Sequence, residues 1–186
     1  NDTKLKIEQQ TIQIFTIGGY EALSMRTLSE ASGVSLSSIY YFFKDKDVLL
    51  EEVFNKLSKE LGVERAKLPA RKSAKKMLED RITFQFKHIE KVIFILKYYL
   101  HFRPQFLRLD SGYIPEKGYL HINEVIEKGL QTGEYASKDP IEDAKIMAHA
   151  INGFLLEYFP DTPKNKDLKK ITASIADFLH RAMQKK

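Results

Sequence analysis

The chain has 186 residues, 43% hydrophobic and 30% charged, with a net charge of +5, so it can bury a core while its basic balance suits an acidic partner such as DNA. It contains no cysteine, which excludes a disulfide framework, thiolate zinc sites and cysteine nucleophiles and agrees with a reducing cytoplasm. The most apolar run, Val92 to Leu96, sits between Lys91 and Lys97, far short of the about 20 residues that cross a bilayer; residues before Phe15 lack the pattern of a signal peptide, so a cytoplasmic location and no membrane partner are expected.

In chain order the pattern predicts an all-α protein. A first helix spans Thr3–Ile17, with Ile7, Thr11, Ile14 and Phe15 on one face, and ends at Gly18-Gly19. A short helix, Met25–Ser32, follows an Ser24 cap; Gly33 turns the chain; a second short helix, Leu36–Phe43, follows an Ser35 cap. A longer helix starts under Asp45 and runs to Leu61, and Gly62 to Pro69 reads as the joint between an N-terminal domain, 1–62, and a C-terminal one, 63–186. Further helices are predicted over Ser73–Ile89, Val92–Arg103, Pro115–Thr132, Ile141–Tyr158 and Lys166–Lys185, with prolines at the joints.

Charge is unevenly placed. Residues 1–50 carry five bases and six acids, while Arg65, Lys67, Arg71, Lys72, Lys75 and Lys76 come with no acid among them. That basic run reads as a solvated helix start. Any case for DNA therefore rests on particular positions.

Those positions lie in residues 24–43. Two short helices joined by a three-residue turn with glycine meet the requirement of a helix-turn-helix. Leu28, Val34 and Ile39 would lock the pair, and the second helix would offer Leu36, Ser37, Ser38, Tyr40 and Tyr41 to a major groove. Thr27 and Ser35 add hydroxyls at helix starts, where free amides favour anions. Lys46, opening the next helix, could hold a phosphate, and Arg26 could read a base. The second helix has no Arg, Lys, Asn or Gln for bidentate base contacts, so Leu36 against thymine methyls is a further expected contact. Of Tyr41, Phe42 and Phe43, Phe43 and one neighbour should be core, since aromatics at helical spacing usually are.

Gly19-Tyr20, Ser24-Met25-Arg26, Gly33-Val34-Ser35 and Ile39-Tyr40-Tyr41-Phe42-Phe43-Lys44-Asp45-Lys46-Asp47-Val48-Leu49 together resemble the N-terminal signature of TetR family (TetR/AcrR-like) transcriptional regulators, in order and spacing. Glu127-Lys128-Gly129, Thr132-Gly133-Glu134-Tyr135, Asp139-Pro140 and Gly153 resemble that family's last loop and penultimate helix. The resemblance implies a three-helix DNA-binding domain followed by a helical ligand-binding and dimerisation domain. Thr11 and Ser29 stand where the family often has alanine.

The resemblance also implies a pocket for a small effector among the central helices; Phe84, His88, Phe94, Tyr98, His101, Phe102 and Tyr119 are its candidates, and a hydrophobic effector would suit them. Taken singly, each aromatic fits a plain apolar core better than a pocket. No histidine pair has metal-ligand spacing, so neither a metal nor a cofactor is expected. The last two helices carry apolar residues on two sides. Ile146, Ala150 and Gly153 with Ile171, Ile175, Phe178, Leu179 and Ala182 are the candidate faces of a homodimer interface.

The expected function is a ligand-responsive repressor that binds a palindromic DNA operator as a dimer and is released by its effector. Two alternatives stand beside it: a small-molecule-binding helical protein of the same fold that has lost specific DNA binding, and an all-helical enzyme. The enzyme is disfavoured because the sequence has no nucleophilic cysteine, glycine-rich phosphate loop or metal spacing.

Overall fold

The computed structural model describes residues 2–108, 119–161 and 166–184, with only the backbone course for 103–108 and Lys166. Its elements are helices: α1 (Asp2–Ala22), α2 (Met25–Ser32), α3 (Leu36–Phe42), α4 (Lys46–Ala66), α5 (Ala74–Lys87), α6 (Ile89–Arg108), α7 (Leu120–Thr132), α8 (Pro140–Tyr158) and α9 (Lys166–Met183). Among the described residues the only β pairing is an isolated antiparallel bridge, Tyr135 with Gln184.

The helices group into two units, Asn1–Val63 with Glu90–Gly112, and Glu64–Ile89 with Tyr113–Lys186. Helix α6 returns to the first unit. The cause is the apolar face of α6: Phe94, Tyr98 and Phe102 join Ile7, Phe15, Leu28, Ile39, Phe43, Leu50 and Leu57 in one buried cluster. The Phe15 and Phe94 ring centroids are 4.9 Å apart, and Tyr98 stacks on Phe54 at 4.3 Å. Lys97 donates to the carbonyls of Thr16 and Ile17, at 2.6 and 3.2 Å, near the point where Gly19 interrupts α1 with φ 75°.

Two predicted ends move. Helix α4 continues through Gly62 to Ala66, so the joint is shorter than Gly62 to Pro69; Leu57 and Leu61 extend its buried stripe to that point. Helix α6 starts at Ile89 and passes Pro104 instead of stopping at Arg103. The predicted start of the next helix at Pro115, like Phe106's side chain, lies outside the described residues.

In the second unit α5 packs against α9, α7 and α8. Leu78, Ile82, Phe86, Ile122, Ile126, Met147, Ile151 and Leu155 are buried. The loop after α7 is tied down by long-range contacts. Glu134 accepts from the Ala74 and Lys75 amides at 2.9 and 3.3 Å and from the Ser73 hydroxyl at 3.0 Å, so it caps α5. Although burial works the other way, these hydrogen bonds hold its carboxyl below the usual range. Gly129 is required by a close approach: a Cβ there would stand 2.1 Å from the Tyr135 ring.

Half of the basic run is neutralised by ion pairs: Arg71 with Asp80 at 2.6 Å, Lys75 with Asp177 at 2.6 Å and Lys76 with Glu79 at 2.8 Å. These are helix-surface contacts, as a solvated helix start requires.

On the two C-terminal helices the candidate interface residues divide. Ile146, Gly153, Phe178 and Ala182 are exposed and Ala150 and Ile171 half-buried. Ile175 and Leu179 are buried in their own unit and are corrected from interface to core. Helix α9 is apolar over a broad arc, and it packs against α5 within the second unit. A groove of about 540 Å³ is lined by Phe154, Tyr158, Asp167, Lys170, Ile171, Ser174, Phe178 and the small exposed part of Ile175.

Candidate nucleic-acid interface

The predicted caps are present, and they set the geometry of α2 and α3. The Thr27 amide donates to Ser24 Oγ at 3.0 Å, and the Ser24 amide donates back to Thr27 Oγ1 at 2.9 Å. This reciprocal arrangement satisfies two otherwise orphaned helix-start donors. The Ser38 amide donates to Ser35 Oγ at 3.2 Å. Thr27 and Ser35 therefore act first in the caps, and of the helix-start amides those of Thr27 and Ser38 are already engaged.

Between the helices Gly33 holds φ 67° and ψ 15°, a left-handed conformation that a side chain resists. Its amide closes on the Ser29 carbonyl at 3.0 Å, and the Ser29 hydroxyl donates to the Val34 carbonyl at 2.7 Å. Ser29 thus ties α2 across the turn to the start of α3. The sequence reading saw only its small size; its position one turn before the glycine was the available clue.

Buried Leu28 and Ile39 pin the two helices, with Val34 partly buried against them. Outward, α3 shows Leu36, Tyr40 and Tyr41 at 41%, 52% and 84% exposure. Ser37 is exposed and Ser38 half-buried; both hydroxyls lie within hydrogen-bond distance of Ser35 Oγ, at 3.1 and 2.7 Å. The aromatic run divides as expected: Phe43 is buried, Phe42 leans on the core and Tyr41 stands free. Thr3, from the first turn of α1, joins Ser37, Ser38, Tyr41 and Phe42 around a shallow depression of about 380 Å³. Nothing in the local sequence pointed to Thr3; only packing brings it there.

Arg26 projects from α2 into solvent, with Glu30 one turn on at 3.4 Å. Lys46 does not. Its ammonium donates to the carbonyls of Tyr20 and Leu23 at 3.3 and 3.2 Å and sits 3.6 Å from the Tyr20 ring centroid. The expected phosphate contact is corrected accordingly: Lys46 fastens the start of α4 to the end of α1. Tyr20 is the hub of this joint. Its hydroxyl donates to Asp47 at 2.6 Å, and His101 stacks on it at 3.8 Å. The Asp47 hydrogen bond, aided by burial, pushes the Tyr20 phenol up to about 12.

This joint carries a prediction. Lys46→Ala should lower unfolding free energy by about 1–2 kcal/mol, from two charge-assisted hydrogen bonds and a cation–π contact at a half-buried site. Urea denaturation of the variant measures it. Unchanged stability together with weakened DNA binding would return Lys46 to a phosphate role.

The seven candidate effector residues divide between the two units. Phe94, Tyr98 and Phe102 are buried in the first unit, with exposed His101 against Tyr20. Phe84, His88 and Tyr119 belong to the second unit. There His88 lies 4.5 Å from the Phe84 ring and 3.2 Å from Glu64, while Lys145 sits 5.8 Å over Tyr119. Sequence reading missed Gln85, buried in the second unit, whose side-chain amide lies 2.8 Å from His121 Nε2. Among the described residues no group of three or more His, Cys, Asp or Glu could hold a metal ion, and no helix is long and apolar enough to cross a membrane.

Two capped helices at a left-handed glycine turn, the second presenting an exposed face, form a helix-turn-helix motif. Residues 9–53 match the family described as bacterial regulatory proteins, tetR family. Over those residues the chain is similar to that family's N-terminal segment. It is 24% identical over 140 residues to the probable HTH-type transcriptional regulator YttP of Bacillus subtilis, covering 72% of this chain and 67% of that protein. It is 28% identical over 145 residues to the uncharacterized HTH-type transcriptional regulator YhgD of the same organism, covering 76% and 69%. In fold it is similar to a TetR-family transcriptional regulator from Agrobacterium tumefaciens, with a TM-score of 0.74, 16% identity and coverage of 99% and 98%.

Proposed function

We propose that this protein is a homodimeric repressor that binds a palindromic operator through paired α3 helices and is released by a small, hydrophobic effector. The observation that carries the reading is the free outer face of α3, where Leu36, Tyr40 and Tyr41 stand in solvent on a rigidly capped helix. Three exposed apolar or aromatic side chains grouped on one seven-residue helix form the kind of surface that marks an interaction site.

The dimer is supported by exposed apolar side chains on α8 and α9, Ile146 and Phe178, the latter lining the 540 Å³ groove. A two-fold axis there would pair these faces isologously; a palindromic operator would ask for two α3 helices about 34 Å apart, one turn of DNA. For the effector, the second unit offers buried Phe84 and Phe86 with Gln85 and His121 as polar handles. Effector binding that favours a different half-site spacing would be coupled to operator binding, typically by about 1–3 kcal/mol in either direction. The protein in this reading is cytoplasmic and performs no chemistry on its effector.

The test is fluorescence anisotropy with the DNA upstream of its own gene against random DNA. Operator binding should exceed random binding by about a thousandfold. Equal, weak binding to that DNA and to every fragment of the host genome would favour the alternative, a helical small-molecule-binding protein that keeps the fold without specific DNA recognition.

A further inference from the structure

We infer that the half-site read by this protein is marked by thymine methyl groups, and that Leu36 with the two tyrosines of α3 is the surface that reads them; the inference rests on the proposed DNA-binding function. The major groove offers donors, acceptors and a single kind of apolar group, the C5 methyl of thymine. Reading guanine or adenine by a bidentate contact takes Arg, Lys, Asn or Gln. Helix α3, Leu-Ser-Ser-Ile-Tyr-Tyr-Phe, has none of these and no charge. Its serine hydroxyls lie within hydrogen-bond distance of Ser35, which leaves the exposed Leu36 and the tyrosine rings as the dominant outward surface.

Charge leads to the same conclusion. Within residues 24–43 the only ionisable groups besides the tyrosines are Arg26 and Glu30, 3.4 Å apart. Lys46, just outside, is engaged by the Tyr20 and Leu23 carbonyls. The motif is therefore neutral, and its one guanidinium can meet one guanine or one phosphate. Apolar contact must supply the remaining discrimination. The shallow depression between α1 and α3 adds hydroxyls from Thr3, Ser37, Ser38 and Tyr41, which can meet a sugar-phosphate strand without adding charge.

The experiment is selection of duplexes from a random library by the full chain, followed by single thymine→uracil replacements in the selected half-site. Uracil keeps the base pair and the minor groove and removes only the methyl. Loss of one methyl contact should weaken binding about fourfold, for at least two positions per half-site. Leu36→Ala, an exposed substitution that should leave the melting temperature unchanged, should abolish the uracil effect at its own position. Restoring a methyl by 5-methylcytosine at a thymine→cytosine position should recover part of the loss. A selected half-site indifferent to every uracil replacement would overturn the inference while leaving DNA binding intact, as would one lost wholly on Arg26→Ala. Failure to select any sequence would remove the DNA-binding reading itself, and this inference with it.

Discussion

Phe178→Glu should turn the protein into a folded monomer with a collapsed affinity for its operator. Phe178 is 61% exposed on α9, so a charge there costs the isolated subunit little. In a dimer it would be buried among Phe154, Ile171 and their two-fold copies, an apolar setting that penalises an unpaired carboxylate. Central aromatic anchors lose 2 kcal/mol or more on truncation, so the dimer dissociation constant should rise by about a hundredfold. Operator affinity should fall by a comparable factor, about 10²-fold, because the second half-site is no longer delivered at high effective concentration. Analytical ultracentrifugation and anisotropy read the two effects. Ile175→Glu is the contrasting variant: that side chain is buried in its own unit, and the substitution should unfold the unit. A wild-type chain that sediments as a monomer at micromolar concentration would sink the dimer.

Two aromatics at the end of α3, Tyr41 within it and Phe43 at its C-cap, should behave in opposite ways. Phe43 is 1% exposed and closes the core of the first unit with Ile39, Leu28 and Leu50. Phe43→Ala removes a ring from a packed interior and should cost about 3–5 kcal/mol of stability. Tyr41→Ala, two residues earlier, should change stability by no more than about 0.5 kcal/mol yet weaken operator binding severalfold. Denaturant titrations of both variants, paired with anisotropy, separate core from interface. A destabilised Tyr41→Ala, or one that binds DNA as wild type does, would remove Tyr41 from the contact surface.

The helix-turn-helix was legible because its signals are local. Ser24 and Ser35 act on amides three residues away, and Gly33 on a turn it forms itself; such spacings survive in a one-dimensional reading. The recurrence of Gly129, Gly133, Glu134 and Tyr135 was visible only as a resemblance. Its reasons span the fold: Glu134 reaches 60 residues back to the Ala74 amide, and the Tyr135 ring needs the bare backbone of Gly129. The effector candidates were chosen as aromatics in consecutive helices, and periodicity cannot say which neighbour an apolar face will meet.

By itself, the sequence determined the all-helical class, the caps and turn of the DNA-binding motif, the buried role of Phe43 and the free one of Tyr41, because each depends on contacts within a turn or two of chain. Only the tertiary structure decided that α6 completes the core of the first unit, that Lys46 fastens α1 to α4, that Ile175 and Leu179 face inward while Phe178 faces out, and that Thr3 stands beside α3. Those outcomes turn on which of several apolar or charged faces finds a partner distant in sequence, and burial is settled by that competition and not by local propensity.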